Sequence, residues 1–186
     1  MRNILYSMLI ACALPVISPA QGTVYPALSV GSDAPDFSLP FATKDSVGFG
    51  EITLSAYAGE KTVILAFYPA DWSGGCTREV CAFRDNFTAL GELDVELLPI
   101  SGDYPYSHYE WAKAHNLPFL LLSDSRHRVA PLYHSYNESS GYNKRTVYVV
   151  DKLGKIAYID MEYSTRDLKS FEQLRKALNL INADEQ

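Results

Sequence analysis

The stretch Thr62-Val-Ile-Leu-Ala-Phe-Tyr-Pro-Ala-Asp-Trp-Ser-Gly-Gly-Cys76 joins a run of β-branched and aromatic residues to a cysteine. Residues 62–68 form a continuous run that is typical of a strand buried on both faces. The run stops at Pro69, and a polar, glycine-rich turn over residues 70–75 follows. A helix is predicted from about Cys76 to Leu90, so the cysteine lies where a strand gives way to a helix.

Strands and helices alternate along the rest of the chain. Further strands are predicted at residues 95–100, 118–122, 145–150 and 156–159, and helices at residues 106–115 and 126–133. Asp151-Lys-Leu-Gly154 is typical of a hairpin connection between the last two strands. This order predicts an α/β fold in which a central mixed sheet has helices on both faces.

The end of the chain predicts one more helix. Ser164 can cap it, with Asp167 as the partner in a capping box. Its buried stripe is formed by residues at helical spacing, namely Leu168, Phe171, Leu174, Leu178 and Ile181. Residues 34–186 therefore form one domain, which an irregular arm over residues 21–33 precedes.

Bulk composition is that of an ordinary globular protein of 186 residues, with 47% hydrophobic and 20% charged residues. The net charge of −6 gives no indication of a nucleic-acid or anionic-membrane partner.

Residues 1–20 have the layout of a secretory signal peptide: Arg2, a short apolar run, and Ser18-Pro-Ala20 before Gln21. We therefore expect export to the periplasm or the extracellular space. The run is too short for a stable membrane span. Leu9-Ile-Ala-Cys12 resembles a bacterial lipobox, but the apolar stretch before Cys12 is very short, so lipid attachment there is the less favoured alternative.

Cys76 has the position of a reactive thiol. The first N–H groups of a helix have no partner within the helix and carry partial positive charge, which favours a thiolate. Cys81 follows five residues later. On an intact helix the two Cα atoms are roughly 8.6 Å apart, beyond the reach of a disulfide. A structural disulfide is therefore disfavoured, and the pair can bond only after the helix begins to unwind.

A zinc site is disfavoured as well. Paired cysteines in such sites have shorter spacings, with further ligands nearby. The histidines are scattered without ligand spacing, at His108, His115, His127 and His134. They are expected on the surface or in the core, and no metal or cofactor is expected.

Pro69, Ser73 and Cys76 resemble the Pro-x-x-x-Thr/Ser-x-x-Cys motif of the peroxiredoxins, and Cys81 has the spacing of the resolving cysteine in the peroxiredoxin Q (bacterioferritin-comigratory) class. Three further segments are similar to that family, namely Ala34-Pro-Asp-Phe-Ser-Leu-Pro40, Leu54-Ser-Ala-Tyr-Ala-Gly59 and Arg145-Thr-Val-Tyr-Val-Val-Asp-Lys-Leu-Gly154. The resemblance implies a thioredoxin-like fold.

The same resemblance implies roles for the site residues. Cys76 would be the peroxidatic cysteine, and Arg145 would hold its thiolate and the peroxide. Ser73 would align the peroxide, and Pro69 would shield the sulfur from water. Glu79, one helical turn after Cys76, would pair with the arginine, unless it is simply a solvated helix charge.

The implied activity is reduction of hydrogen peroxide and organic hydroperoxides to water and alcohols. A Cys76 sulfenic acid condenses with Cys81, and a thioredoxin-like dithiol protein reduces the resulting disulfide. A monomer is expected for this class. The chain departs from the common family pattern at Trp72, Ser73 and Gly74, and Trp72 is expected to pack.

Two other functions stay open. An exported thiol–disulfide oxidoreductase is disfavoured because that chemistry normally uses Cys-x-x-Cys, whereas this chain has Cys-x4-Cys. A redox sensor or a binding module on the same fold is the second alternative, because fold does not guarantee activity.

Overall fold

The computed structural model describes residues 25–166 and 168–184. The predicted signal peptide, its cleavage site and Cys12 lie outside the described residues, as does Asp167. Residues 25–32 contain neither helix nor strand, and Asp33 forms an isolated bridge with Lys155. No helix in the described ranges is long and apolar enough to cross a membrane.

A mixed sheet organises the described part of the chain, with the strand order β2-β1-β5-β4-β3-β8-β9. Its strands are β1 (Ser38–Ala42), β2 (Val47–Thr53), β3 (Thr62–Phe67), β4 (Val95–Ser101), β5 (Leu121–Ser123), β8 (Thr146–Val150) and β9 (Ile156–Asp160). The strands β3, β4 and β5 are parallel, and the remaining pairs are antiparallel. A separate small hairpin consists of β6 (Tyr136–Asn137) and β7 (Tyr142–Asn143).

The α-helices are α1 (Gly74–Asp85), α2 (Phe87–Gly91), α3 (Pro105–His115) and α4 (Lys169–Asp184), and a 3₁₀ helix spans Leu54–Tyr57. All side chains of β3 are buried, as predicted for the central strand. Side chains alternate along it, so Ile64 and Ala66 face one core cluster while Val63, Leu65 and Phe67 face the other.

The two faces of the sheet are covered differently. The first cluster is closed by α-helices, through residues such as Val80 of α1, Trp111 of α3 and Leu174 of α4. The second cluster is closed by Leu54 of the 3₁₀ helix and by Tyr133, which lies in a series of turns. The thioredoxin-like fold with a mixed central sheet is confirmed, and the covering of the second face differs from the prediction in one segment.

That segment is residues 126–133, where the predicted helix is wrong. The buried carboxylate of Asp124 accepts hydrogen bonds from the N–H groups of Arg128, Val129 and Ala130 at 2.8 to 3.0 Å. These N–H groups therefore donate to a side chain and not to helical carbonyls, and Asp side chains often compete with helices in this way. His127 has a φ of 47°, which a right-handed helix does not allow.

Helix boundaries also differ from the sequence predictions. The helix predicted from Cys76 to Leu90 begins two residues earlier, at Gly74, and is interrupted at Asn86, whose side chain donates to the carbonyl of Ala82 at 2.8 Å. The strand predicted at residues 118–122 is shorter and is displaced to Leu121–Ser123.

The last helix starts later than predicted. It begins at Lys169, so Ser164 does not cap it; the Ser164 hydroxyl instead accepts from the N–H of Arg166 at 3.2 Å. Leu168 precedes the helix and is exposed, so its place in the buried stripe is wrong. Phe171, Leu174, Leu178 and Ile181 do pack against the core. The predicted hairpin between β8 and β9 is confirmed, with Gly154 at a φ of 75° in its turn.

Candidate active site

Cys76 lies in the first turn of α1, at the carboxyl end of the central strand β3, and its side chain is fully buried. Ser73 is the N-cap residue of this helix, and its hydroxyl accepts from the Cys76 N–H at 3.4 Å. The capping bond joins the predicted peroxide-aligning hydroxyl to the cysteine. The free N–H groups of the first turn favour negative charge at this place.

Arg145 reaches the cysteine because of strand pairing. β8 runs antiparallel to β3, with Thr146 opposite Phe67, so the residue before β8 lies beside the end of β3. The Arg145 Nη2 atom is 3.4 Å from the Cys76 sulfur. A cation with a hydrogen-bond donor therefore faces the sulfur from the side of the sheet.

Glu79 forms the other contact of the guanidinium. Its Oε2 accepts from Nη1 of Arg145, while Nη2 serves Cys76. The Glu79 side chain is 1% exposed and that of Arg145 is 19% exposed. The interpretation of Glu79 as a solvated helix charge is therefore wrong. Glu79 orients the guanidinium, although its own Oε1 is buried without a hydrogen-bond partner among the described residues.

Gly75 lets the guanidinium approach the helix closely. A Cβ atom at this position would lie 3.1 Å from Nη2 of Arg145, which is tighter than an ordinary contact. At Gly74 the nearest atom to such a Cβ is Nη1 of Arg78, at 3.8 Å, an ordinary contact. Of these two neighbouring glycines, only Gly75 is required by the packing of Arg145.

Tyr163 connects the backbone of Arg145 to α1. Its N–H donates to the Arg145 carbonyl at 3.2 Å, and its ring stacks on Phe83 of α1 with centroids 5.9 Å apart. Burial raises the pKa of the Tyr163 hydroxyl, so this group stays neutral beside the site. Sequence patterns gave no signal for this contact.

Cys81 lies on the same helix as Cys76, and both thiols are free. Cys81 is partly buried, whereas Cys76 is fully buried. Because both residues belong to an intact α1, helix geometry keeps their Cα atoms roughly 8.6 Å apart. A bond between them requires the first turns of α1 to unwind.

Pro69 and Trp72 belong to the loop that joins β3 to α1. Pro69 directly follows the buried Tyr68 and is itself partly buried. Trp72 is 56% exposed and packs only in part, with its ring centroid 6.4 Å from that of His115 in α3. Its φ of 61° is unusual for a residue other than glycine.

A buried polar network next to this loop was missed by the sequence reasoning. Asp71 contacts Tyr68, Ser107 and His108, all through its carboxylate. Burial, and after it the charge of Asp71, raise the pKa of Tyr68 well above its usual value, so the phenol remains a donor. Scattered histidines carry no spacing signal, and only the fold brings His108 to Asp71.

Metal ligands do not gather in the described part of the chain. No group of three or more His, Cys, Asp or Glu side chains there could hold a metal ion.

One known protein family matches most of the described chain. The model of the AhpC/TSA family matches residues 30–159, which include Cys76, Cys81 and Arg145. The chain belongs to the AhpC/TSA family. The family's match ends before α4, which packs against the first core cluster.

Relatives within the family are peroxiredoxins. Peroxiredoxin Q, chloroplastic, of Populus jackii is 36% identical over 148 residues, which cover 79% of this chain and 67% of that protein. The protein of the same name from Triticum aestivum is 40% identical over 141 residues, covering 75% and 62%. Peroxiredoxin Bcp of Bacillus subtilis is 34% identical over 135 residues, covering 69% and 82%. The chain thus spans 62% to 67% of these plant relatives.

Solved structures lead to the same family. The reduced 2-Cys peroxiredoxin of Plasmodium vivax superposes with a TM-score of 0.74 at 28% identity, over 84% of this chain and 99% of that one. Peroxidoxin BcpB of Mycobacterium tuberculosis gives 0.72 at 26% identity, over 83% and 99%. Thiol-dependent peroxidase activity is the function that these relationships support.

Proposed function

We propose that this chain reduces peroxides through Cys76 and resolves the oxidised cysteine with Cys81. The observation that carries the proposal is the contact between Arg145 Nη2 and the Cys76 sulfur, 3.4 Å long, at the start of α1. A buried sulfur beside a guanidinium and the free N–H groups of a helix has the surroundings of a nucleophilic thiolate. Glu79 fixes the guanidinium on the opposite side.

In the first step the Cys76 thiolate attacks one oxygen of the peroxide. The S–O bond forms while the O–O bond breaks, and the departing oxygen takes up a proton to become water or an alcohol. The Arg145 donors stabilise negative charge on the oxygens as the bond breaks. The Ser73 hydroxyl, which caps the same helix turn, can accept from the incoming peroxide and align it. Pro69 has no N–H and limits access of water.

In the second step the first turns of α1 unwind and Cys81 attacks the Cys76 sulfenic acid. A disulfide forms and water leaves. The two glycines at the start of α1 make unwinding easier, because glycine is a poor helix former. A thioredoxin-like dithiol protein then returns both cysteines to thiols by exchange. Hydrogen peroxide and organic hydroperoxides are the proposed substrates.

A coupled assay tests this cycle. Purified protein is supplied with hydrogen peroxide, a thioredoxin and its reductase, and consumption of the nicotinamide reductant is followed. Turnover is expected in the wild-type protein and not in Cys76→Ser. An insulin-reduction assay tests the thiol–disulfide oxidoreductase alternative, and clear insulin reduction combined with no peroxide turnover would contradict the proposal.

We also propose, from residues 1–20, that the protein is exported and loses its signal peptide after Ala20. Mass spectrometry of the N-terminus of the protein from its native cells tests this. A start at Gln21 is expected, and a lipidated Cys12 would contradict it. The expected monomer stays a prediction that light scattering on the purified protein can check.

A further inference from the structure

A hydrogen-bonded network centred on Asp71 connects the end of β3 to α3. The carboxylate accepts from the Tyr68 hydroxyl at 2.8 Å through Oδ1 and from the Ser107 hydroxyl at 2.7 Å through Oδ2. Oδ2 also lies 2.9 Å from Nδ1 of His108. Asp71 is 6% exposed and His108 is fully buried. Both carboxylate oxygens therefore have partners in a place that water hardly reaches.

His108 extends the network to the next strand. Its Nε2 lies 3.1 Å from the carbonyl oxygen of Leu122 in β5. A carbonyl can only accept, so Nε2 carries a hydrogen. Nδ1 faces Oδ2 of the Asp71 carboxylate, 2.9 Å away. The imidazole thereby ties Asp71 to the sheet through both ring nitrogens.

The backbone of Asp71 is held as well. Its N–H donates to Oδ2 of Asp103 at 2.8 Å, and that carboxylate is in turn fixed by the Ser101 hydroxyl at 2.8 Å. Within the described part of the chain, the hydrogen bonds that join residues 69–73 to elements other than α1 all involve Asp71. Asp71 is thus the polar anchor of the loop between β3 and α1.

The residues that follow Asp71 need such an anchor. Trp72 adopts a left-handed backbone conformation and is largely exposed, with one ring contact, to His115. Ser73 is exposed too, although it caps the helix that carries Cys76. A sparsely populated backbone conformation persists only where its surroundings impose it.

We propose that Asp71 and His108 are positioning residues for the peroxide reaction of Cys76. They fix the loop over residues 70–73, and through it they fix the Ser73 hydroxyl relative to the sulfur. Small displacements of a reacting group from its productive geometry cost large factors in rate. The inference rests on the proposed function, in which Cys76 attacks the peroxide.

Asp124 provides a matched control for Asp71. Its carboxylate is 2% exposed and accepts three backbone hydrogen bonds, but it holds the turn that follows β5. The experiment measures the second-order rate constant of Cys76 oxidation by hydrogen peroxide in stopped flow, at a temperature at which near-ultraviolet circular dichroism shows each variant folded. We expect Asp71→Ala and His108→Ala to react about tenfold more slowly or worse. Asp124→Ala should react within about twofold of wild type, although all three variants melt at lower temperature.

Asp71→Asn separates positioning from charge. The Asn oxygen can still accept, and its NH₂ group can donate to Nδ1 of a neutral His108, so the network keeps its shape. We expect this variant, like the Asp124→Ala control, to stay within about twofold of the wild-type rate. Wild-type rates in Asp71→Ala and His108→Ala, alongside melting losses like that of Asp124→Ala, would overturn the proposal.

Ser107→Ala removes one hydrogen bond and serves if Asp71→Ala does not fold. It should be about threefold slower than wild type, and an unchanged rate would overturn the proposal. The absence of any Cys76-dependent peroxide reaction in the wild-type protein would refute the proposed function, and this inference with it. A normal wild-type rate that Asp71→Ala matches would refute the inference alone.

Discussion

Arg145 and Cys76 are 69 residues apart in the chain, and their Nη2 and Sγ atoms lie 3.4 Å apart. The antiparallel register of β3 and β8 produces this contact, since it sets the start of β8 beside the end of β3. Two features that are far apart in sequence, a strand-to-helix junction and the start of a late strand, thus form one anion-stabilising site. The proposed chemistry depends on this contact most directly.

Arg145→Lys should slow the reaction of Cys76 with hydrogen peroxide by about 10²-fold, because one ammonium cannot donate to Glu79 and Cys76 in the fork geometry of a guanidinium. Stopped-flow kinetics measures the change. Lys144→Met is the matched control, since it removes the neighbouring exposed cation, whose Nζ contacts the His134 carbonyl at 3.1 Å. An Arg145→Lys rate equal to that of this control would show that the guanidinium is not required.

Ser73→Ala should lower both helix stability and reaction rate. Loss of an N-cap costs about 1 kcal/mol, and loss of the aligning hydroxyl should slow peroxide reduction about tenfold or more. Ser73→Thr keeps the hydroxyl and should retain most of the activity. Thermal melting and stopped-flow rates of the two variants check this, and an Ala variant as fast as the Thr variant would remove Ser73 from the mechanism.

Alanine substitutions at Gly74 and Gly75 should slow different steps of the cycle. Gly74→Ala meets only ordinary contacts and stabilises the helix by up to about 1 kcal/mol, so disulfide formation should slow by up to about fivefold while peroxide attack is unchanged. Gly75→Ala pushes against Arg145, so peroxide attack should slow by about tenfold.

Stopped-flow fluorescence and quenched thiol counting resolve the two steps. If Gly74→Ala slowed the attack as much as Gly75→Ala does, the close approach of Arg145 at Gly75 would not explain the difference between these positions.

Cys81→Ser should still consume one peroxide per Cys76 but form no intramolecular disulfide. Trapping of the sulfenic acid, seen as a mass increase of about 16 Da before further oxidation, is the measurement. Cys76→Ser, which keeps Cys81, should consume none. Turnover of Cys81→Ser in the coupled thioredoxin assay at the wild-type rate would refute Cys81 as the resolving cysteine.

The sequence was sufficient for the parts of the fold that local patterns specify. The β-branched run of β3, the Asp-Lys-Leu-Gly turn before β9 and the apolar spacing of α4 each carry their own signal, and each was predicted. β1 and β2 were missed for different reasons. β1 contains Pro40, which argues against a strand. β2 contains Gly48 and Gly50 and is partly exposed, so no clean alternation marks it.

Errors arose where side chains compete with the backbone. The helix predicted over residues 126–133 was lost to the carboxylate of Asp124, a contact that no periodicity reveals. In the site, the roles of Cys76 and Arg145 were predicted from the family resemblance. The burial of Glu79 could be seen only in the folded structure. The pairing of Asp71 with His108 depends on α3 packing over the end of β3, which the sequence does not display.

Titration of the reduced protein lacking residues 1–20 with hydrogen peroxide, followed by thiol counting and intact mass, tests the central claim most directly. One equivalent of peroxide should remove both thiols and lower the mass by about 2 Da, and Cys76→Ser should abolish the change. Persistence of two thiols under excess peroxide would contradict Cys76 as the residue that attacks peroxide.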